Sequence, residues 1–133
     1  MSRAIHHVDL WVQDPAIAMP EWTWLFTSCG WEVDFAEETS GAWKHPDGTY
    51  AFLERSPDLH DQPHDRLMPG VNHLAFTVAD RAALDAMRAD AAGNGLVDVL
   101  GGEPLGEERT QVVPLGLRPD GDPAALGDVD DVE

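Results

Sequence analysis

The chain carries one short segment twice. HHVDLWVQD occupies residues 6–14 and returns in altered form as NHLAFTVAD at residues 72–80. In both copies a histidine, His7 or His73, stands five residues before a valine and seven before an aspartate. The two histidines are 66 residues apart in a chain of 133, so two related units follow one another. The repeat therefore restricts the fold to one built from two similar halves.

The first copy has the pattern of a β-strand. Residues 5–12 are rich in β-branched and aromatic side chains and alternate between two faces. His7, Asp9 and Trp11 fall on one face of this strand. His6 falls on the other face, where a structural role is expected.

A helix is predicted next. Asp14 and Pro15 are typical of a helix start, and Gly30 of a helix end. Pro20 lies inside the segment, so the regular helix is expected to begin only near that residue. Apolar residues recur at helical spacing and so form one side of this helix; they are Trp22, Leu25, Phe26 and Cys29.

Three more strands are predicted at residues 31–38, 41–45 and 49–56, with a PDG turn at residues 46–48. The first module, residues 5–56, therefore has the order β-α-β-β-β.

The same order starts again after a proline-rich linker at residues 57–70. A strand is predicted at residues 71–78, and a helix at residues 81–93 follows Asp80 as its N-cap. The fold class predicted is α+β, a single domain of residues 1–133 with two tandem modules.

The second module, residues 71–126, is irregular after Asn94. Only residues 110–117 resemble a strand there, and residues 127–133 form an acidic tail. An altered reading frame after residue 94 is an alternative explanation of this departure.

Charge and composition exclude some classes of partner. The 25 acidic and 8 basic residues give a net charge of −17, which repels phosphate backbones and anionic lipids. No apolar run approaches the roughly 20 residues that span a bilayer, and no signal peptide is recognised. Cys29 is the only cysteine, so no internal disulfide can form. We expect a cytoplasmic protein with a small-molecule partner and neither nucleic acid nor membrane.

His7 and His73 are candidate metal ligands because a pseudo-twofold axis would bring equivalent strand positions together. Glu54, on the fourth strand, is the nearest suitable carboxylate. Two imidazoles and one carboxylate can hold a divalent ion with open coordination positions. The alternative is that both histidines are half-exposed or hydrogen-bonded strand residues without a ligand.

Aromatic side chains on the same faces could form a binding pocket. Trp11 shares the face of His7, and Tyr50 and Phe52 share the face of Glu54. Such walls favour a planar or apolar ligand, and Asp9 could orient it. Trp24 lies off the apolar side of the helix, where it could belong to a homodimer contact.

The paired motifs HVDLWVQD and HLAFTVAD, each followed by a helix, resemble the vicinal oxygen chelate superfamily. That superfamily includes glyoxalases, extradiol dioxygenases and bleomycin-resistance binding proteins. The resemblance covers residues 5–93 well and implies a curved mixed sheet whose cleft holds a divalent metal (Fe, Mn, Zn, Ni or Mg). In this sequence, the ligands that the resemblance implies are His7, Glu54 and His73. A fourth ligand, usually a glutamate, has no counterpart because that position is Ala125.

Two functions remain open on the sequence. One is a metal-dependent glyoxalase-like or dioxygenase-like enzyme that chelates an oxygen-bearing substrate for lyase, isomerase or dioxygenase chemistry. The other is a metal-free protein that binds and sequesters a drug-like or aromatic molecule, which Ala125 favours.

Overall fold

The chain forms two compact units, Met1–Gln62 and Pro63–Glu133. The computed structural model describes residues 3–60, 62, 67–71, 74–94 and 111–112. Among these residues, no helix is long and apolar enough to cross a membrane.

The first unit is a four-stranded mixed sheet with one helix. Its elements in chain order are β1 (His7–Trp11), α1 (Pro15–Ser28), β2 (Glu32–Ala36), β3 (Ser40–Lys44) and β4 (Tyr50–Glu54). The sheet order is β1-β4-β3-β2; β1 is parallel to β4, and the other neighbours are antiparallel. The predicted β-α-β-β-β order and the α+β class are confirmed.

Helix α1 begins five residues before Pro20, so the expectation of a regular start near that residue was wrong. The Asp14 side chain accepts a hydrogen bond from the Ala16 N–H at 3.0 Å, and Pro15 occupies the first helical turn. This cap fixes the helix start. Pro20 removes its own backbone donor and its ring crowds the Ala16 carbonyl, but the buried Ala18 and Trp22 on either side hold the helix against the sheet.

A glycine motif ends helix α1. Gly30 has φ of 83°, the left-handed region, directly after the C-cap residue Cys29. The Trp31 N–H donates to the Phe26 carbonyl at 2.9 Å, and the Gly30 N–H donates to the Thr27 carbonyl at 3.1 Å. The Phe26 and Trp31 ring centroids are 4.9 Å apart, which gives this motif its usual apolar contact.

We expect Gly30→Ala to lower the free energy of unfolding by about 1–2 kcal/mol, the cost of a left-handed conformation for a residue with a Cβ. An added Cβ there would meet nothing within 4 Å, so the cost comes from the backbone alone. Urea unfolding followed by circular dichroism measures it. Gly93→Ala is the matched control: Gly93 also has open space but no positive φ, so alanine there should leave the stability unchanged or raise it slightly. Equal losses in both variants would contradict the assignment.

The core of the first unit lies between α1 and one face of the sheet. Phe26 stacks on Trp43 with ring centroids 4.9 Å apart and an interplanar angle of 27°. Trp43 and Leu53 are fully buried. The helix approaches β3 closely at Gly41, where a Cβ would overlap the Met19 side chain. This face of the sheet is therefore closed by the helix.

The second unit contains β5 (Phe76–Thr77) paired antiparallel with β6 (Gln111–Val112), helix α2 (Arg81–Ala91) and a 3-10 turn at Ala92–Asn94. The Asp80 side chain accepts from the Ala83 N–H at 2.8 Å, which confirms the predicted N-cap. Strand followed by capped helix repeats the beginning of the first unit.

Several sequence predictions lie outside the described residues. These are His73, Ala125, the acidic tail at residues 127–133 and, apart from β6, the irregular part of the second module. The predicted strand at residues 71–78 is described only in part, and β5 is its regular portion. The predicted module and linker boundaries stay predictions.

Candidate functional site

The candidate site is the face of the first sheet opposite α1, called the open face here. Strand register places three rows of side chains across it: His7–Tyr50–Lys44–Glu32, Asp9–Phe52–Ala42–Phe35 and Trp11–Glu54–Ser40. The face includes all the predicted site residues of the first module, namely His7, Asp9, Trp11, Tyr50, Phe52 and Glu54. The alternation in the sequence therefore placed these six residues on a common face.

The edge of the open face formed by β1 is exposed to solvent. The Trp11 side chain is 48% exposed, and His7 and Asp9 are also exposed. Trp11 lies opposite the half-buried Glu54 in the parallel pairing of β1 with β4. A large indole in this position offers apolar area and an N–H donor beside a carboxylate.

The middle of the open face is aromatic. The Phe35 and Phe52 ring centroids are 5.6 Å apart, with Ala42 paired to both residues. Alternation alone puts Val33 and Phe35 on the same face. An irregularity between Val33 and Phe35 shifts the register, so Val33 pairs with Trp43 whereas Phe35 pairs with Ala42. Sequence reasoning therefore missed Phe35 as a site residue, because a single extra residue in a strand leaves no clear signal.

Three rings meet at the start of β1. The His7 ring stacks on the Tyr50 ring with centroids 4.8 Å apart and planes 8° from parallel. The His6 ring meets Tyr50 edge-on at 5.5 Å, and the Nδ1 atoms of His6 and His7 are 2.9 Å apart. His6 is exposed and contacts the ring of His7, which alternation did not predict. The reason is that β1 begins at His7. His6 lies before the strand, so its side chain does not have to point to the opposite face.

The predicted metal ligands are only partly described. His7 pairs with Tyr50 and Glu54 pairs with Trp11, four positions farther along both strands. At about 3.3 Å per residue, this register separates His7 from Glu54 by roughly 13 Å along the sheet. The described residues contain no cluster of three or more His, Cys, Asp or Glu side chains that could hold an ion. The ligand set with His73 stays a prediction, and the first unit alone does not assemble it.

A shallow pocket of about 260 Å³ lies at the end of β3, lined by Glu32, Lys44, His45, Pro46 and Gly48. The hairpin turn beside it is well ordered by hydrogen bonds. The Thr49 N–H donates to the Asp47 carboxylate at 2.7 Å, and this bond is the main reason that the pKa of Asp47 is lowered to about 2. His45 Nδ1 lies 3.1 Å from the same carboxylate. These hydrogen bonds belong to the turn, whereas the pocket residues Glu32 and Lys44 form the end of the first row of the open face.

Comparison with solved structures identifies the fold. The crystal structure of a putative glyoxalase from Bacillus halodurans matches this chain with a TM-score of 0.63 and 26% identity, over 70% of each chain. The fold is therefore that of the vicinal oxygen chelate superfamily, as the repeated motif indicated.

Sequence comparison adds one curated relative. The uncharacterized protein YqjT of Bacillus subtilis is 24% identical over 92 residues, which span 68% of this chain and 71% of that protein. No protein-family model matches the chain.

Proposed function

We propose that this chain binds a small planar molecule bearing oxygen atoms on the open face of its first sheet. The observation that carries the proposal is the exposed Trp11, which lies in register with Glu54 at the edge of that face. An exposed indole beside aromatic rings offers a ligand apolar contact area and one N–H donor.

The aromatic row supports a flat ligand. Phe52 and Phe35 are half-buried, and their rings contact each other and form an apolar strip. A planar molecule can lie against the exposed sides of the two rings, which cover the buried Ala42. Trp11 would then cover one edge of the ligand.

The polar residues of the face would orient the ligand. Asp9 and Glu54 flank Trp11 and Phe52 in the pairing of β1 with β4, and both can accept hydrogen bonds from ligand hydroxyl groups. His7 can donate or accept, depending on its tautomer. The face would therefore bind best a ligand that has hydroxyl groups at its edge and an apolar ring at its centre.

Tryptophan fluorescence tests this proposal. We expect a panel of planar aromatic oxygen compounds, beginning with catechol, to include one that quenches the fluorescence saturably and does so in the presence of a chelator. Trp11→Leu should weaken binding about two- to tenfold, the equivalent of one aromatic contact. Trp24→Leu on helix α1 is the matched control and should bind normally. Equal binding by both variants, or no quenching by any compound, would overturn the proposal.

A second candidate is metal-dependent catalysis, favoured by the likeness to the Bacillus halodurans protein. In this case His7, Glu54 and His73 would hold a divalent ion, and the ion would polarise two neighbouring oxygens of a substrate. The register of β1 and β4 keeps His7 and Glu54 apart, so this candidate requires a rearranged strand pairing.

Metal content distinguishes the second candidate from the first. Protein reconstituted with Mn²⁺, Fe²⁺, Zn²⁺, Ni²⁺ or Mg²⁺ should retain one ion per chain after gel filtration if the second candidate holds. Glu54→Ala and His73→Ala should each lose that ion. Ligand quenching that disappears in chelator would favour this candidate over the metal-free one.

A further inference from the structure

The pair of histidines at the start of β1 has a geometry that the proposed ligand-binding face does not explain. The Nδ1 atoms of His6 and His7 are 2.9 Å apart, and both side chains are exposed. Two neutral imidazoles can share one hydrogen at this distance, because one ring donates and the other accepts. The same two nitrogens can instead face a common ion.

The separation matches a pair of adjacent ligands. Imidazole nitrogens bind divalent first-row ions at about 2.0–2.1 Å. Two such nitrogens at a right angle are about 2.9 Å apart, and at the tetrahedral angle about 3.3 Å apart. In the free protein the 2.9 Å separation is that of an N–H···N hydrogen bond, and it holds the two nitrogens within the span of neighbouring ligands of one ion.

We propose that His6 and His7 form a two-imidazole chelating site that binds Cu²⁺, and Ni²⁺ more weakly, through their Nδ1 atoms. Copper is preferred because it stands highest in the affinity order of the divalent first-row ions for nitrogen ligands. The remaining coordination positions are filled by water.

Binding requires a change of tautomer in one of the two rings. The ring that donates its Nδ1 hydrogen in the free protein gives up that hydrogen and carries one on Nε2 instead. Both Nδ1 lone pairs then face the ion.

Tyr50 is a positioning residue for this pair. Its ring stacks flat on His7 and meets His6 edge-on, so it restricts the rotation of both imidazoles. Tyr50→Phe keeps the ring and should keep Cu²⁺ affinity. Tyr50→Ala removes the ring and should weaken Cu²⁺ binding several-fold. If Tyr50 only stabilised the fold, the two variants would bind Cu²⁺ equally well as long as both are folded.

This site differs from the ligand set that the superfamily resemblance implies, since it uses His6 and needs neither Glu54 nor His73. It also does not depend on the proposed binding of a planar molecule. Titration with Cu²⁺ alone therefore tests it separately from both functions proposed above.

The experiment is a Cu²⁺ titration of the full chain by isothermal calorimetry, with electron paramagnetic resonance of the copper-loaded protein. We expect one Cu²⁺ per chain and two imidazole nitrogens in the spectrum. His6→Ala and His7→Ala should each weaken binding at least tenfold and leave one imidazole nitrogen. Because both side chains are exposed, the variants should keep the wild-type circular dichroism.

His60→Ala is the matched control, an exposed histidine in a loop, and should bind Cu²⁺ as the wild type does. Glu54→Ala and His73→Ala should also bind normally. Unchanged affinity in His6→Ala, or the loss of binding in Glu54→Ala and His73→Ala, would overturn the proposal. No saturable binding by the wild type would do the same.

Discussion

Trp43→Ala should lower the free energy of unfolding by about 3–5 kcal/mol, the largest stability effect that we expect from a single substitution in this chain. Trp43 is fully buried, and its ring stacks on Phe26 of helix α1. Removing the ring leaves a cavity between the helix and the sheet that the surrounding side chains cannot fill completely. A loss of this size is a large part of the stability of an ordinary domain. Chemical denaturation followed by circular dichroism measures it.

Two further variants serve as controls for Trp43→Ala. Trp11→Ala removes the same side chain from an exposed position and should cost much less. Trp43→Phe should cost about 1 kcal/mol or less, because it also removes a buried indole N–H that has no hydrogen-bond partner among the described residues. If Trp43→Ala and Trp11→Ala lost equal stability, Trp43 would not be the centre of the core.

The thiol of Cys29 should react with iodoacetamide at pH 8 about a hundredfold more slowly in the folded protein than in urea. Cys29 is buried at the end of helix α1, and burial raises its pKa from 9.0 to about 11. The reactive species is the thiolate, so a rise of two pKa units removes about 99% of it at pH 8. Cys29 is the only cysteine, so mass spectrometry of the intact chain reports on this thiol alone.

The free energy of unfolding should fall at alkaline pH because of Cys29. The folded thiol holds its proton up to about pH 11, whereas the unfolded thiol loses it near pH 9. The contribution of this group to stability is therefore complete below pH 9 and falls as the pH rises from 9 to 11. The labelling rate of the folded protein should rise over the same range. Rapid labelling of folded protein at pH 8 would show that the thiol is accessible and ionised.

Much of the first unit, and the start of the helix in the second, could be predicted from local sequence signals. The caps at Asp14 and Asp80 and the glycine at residue 30 mark helix ends because each satisfies specific backbone groups. Strand alternation placed His7 and Trp11 on the open face because β1 is regular over its whole length. These features depend on residues close together in the chain.

The features that the sequence patterns did not predict depend on contacts between distant segments. The position of Phe35 follows from an irregular pairing of β2 with β3, which is set by two strands together. The separation of His7 from Glu54 follows from the register of β1 against β4, which are connected through the rest of the module. Periodicity fixes the face of a residue but not its position along a neighbouring strand. The metal set, the homodimer and the cytoplasmic location stay predictions.

The bulge in β2 also protects the sheet. β2 is an outer strand of the four-stranded sheet, and outer strands can pair with strands of other molecules and so start aggregates. The irregularity between Val33 and Phe35 disrupts the even spacing of backbone groups that such pairing needs, and Glu32 and Asp34 add exposed negative charges. The feature that brings Phe35 onto the open face thus also opposes fibril-like growth from this edge.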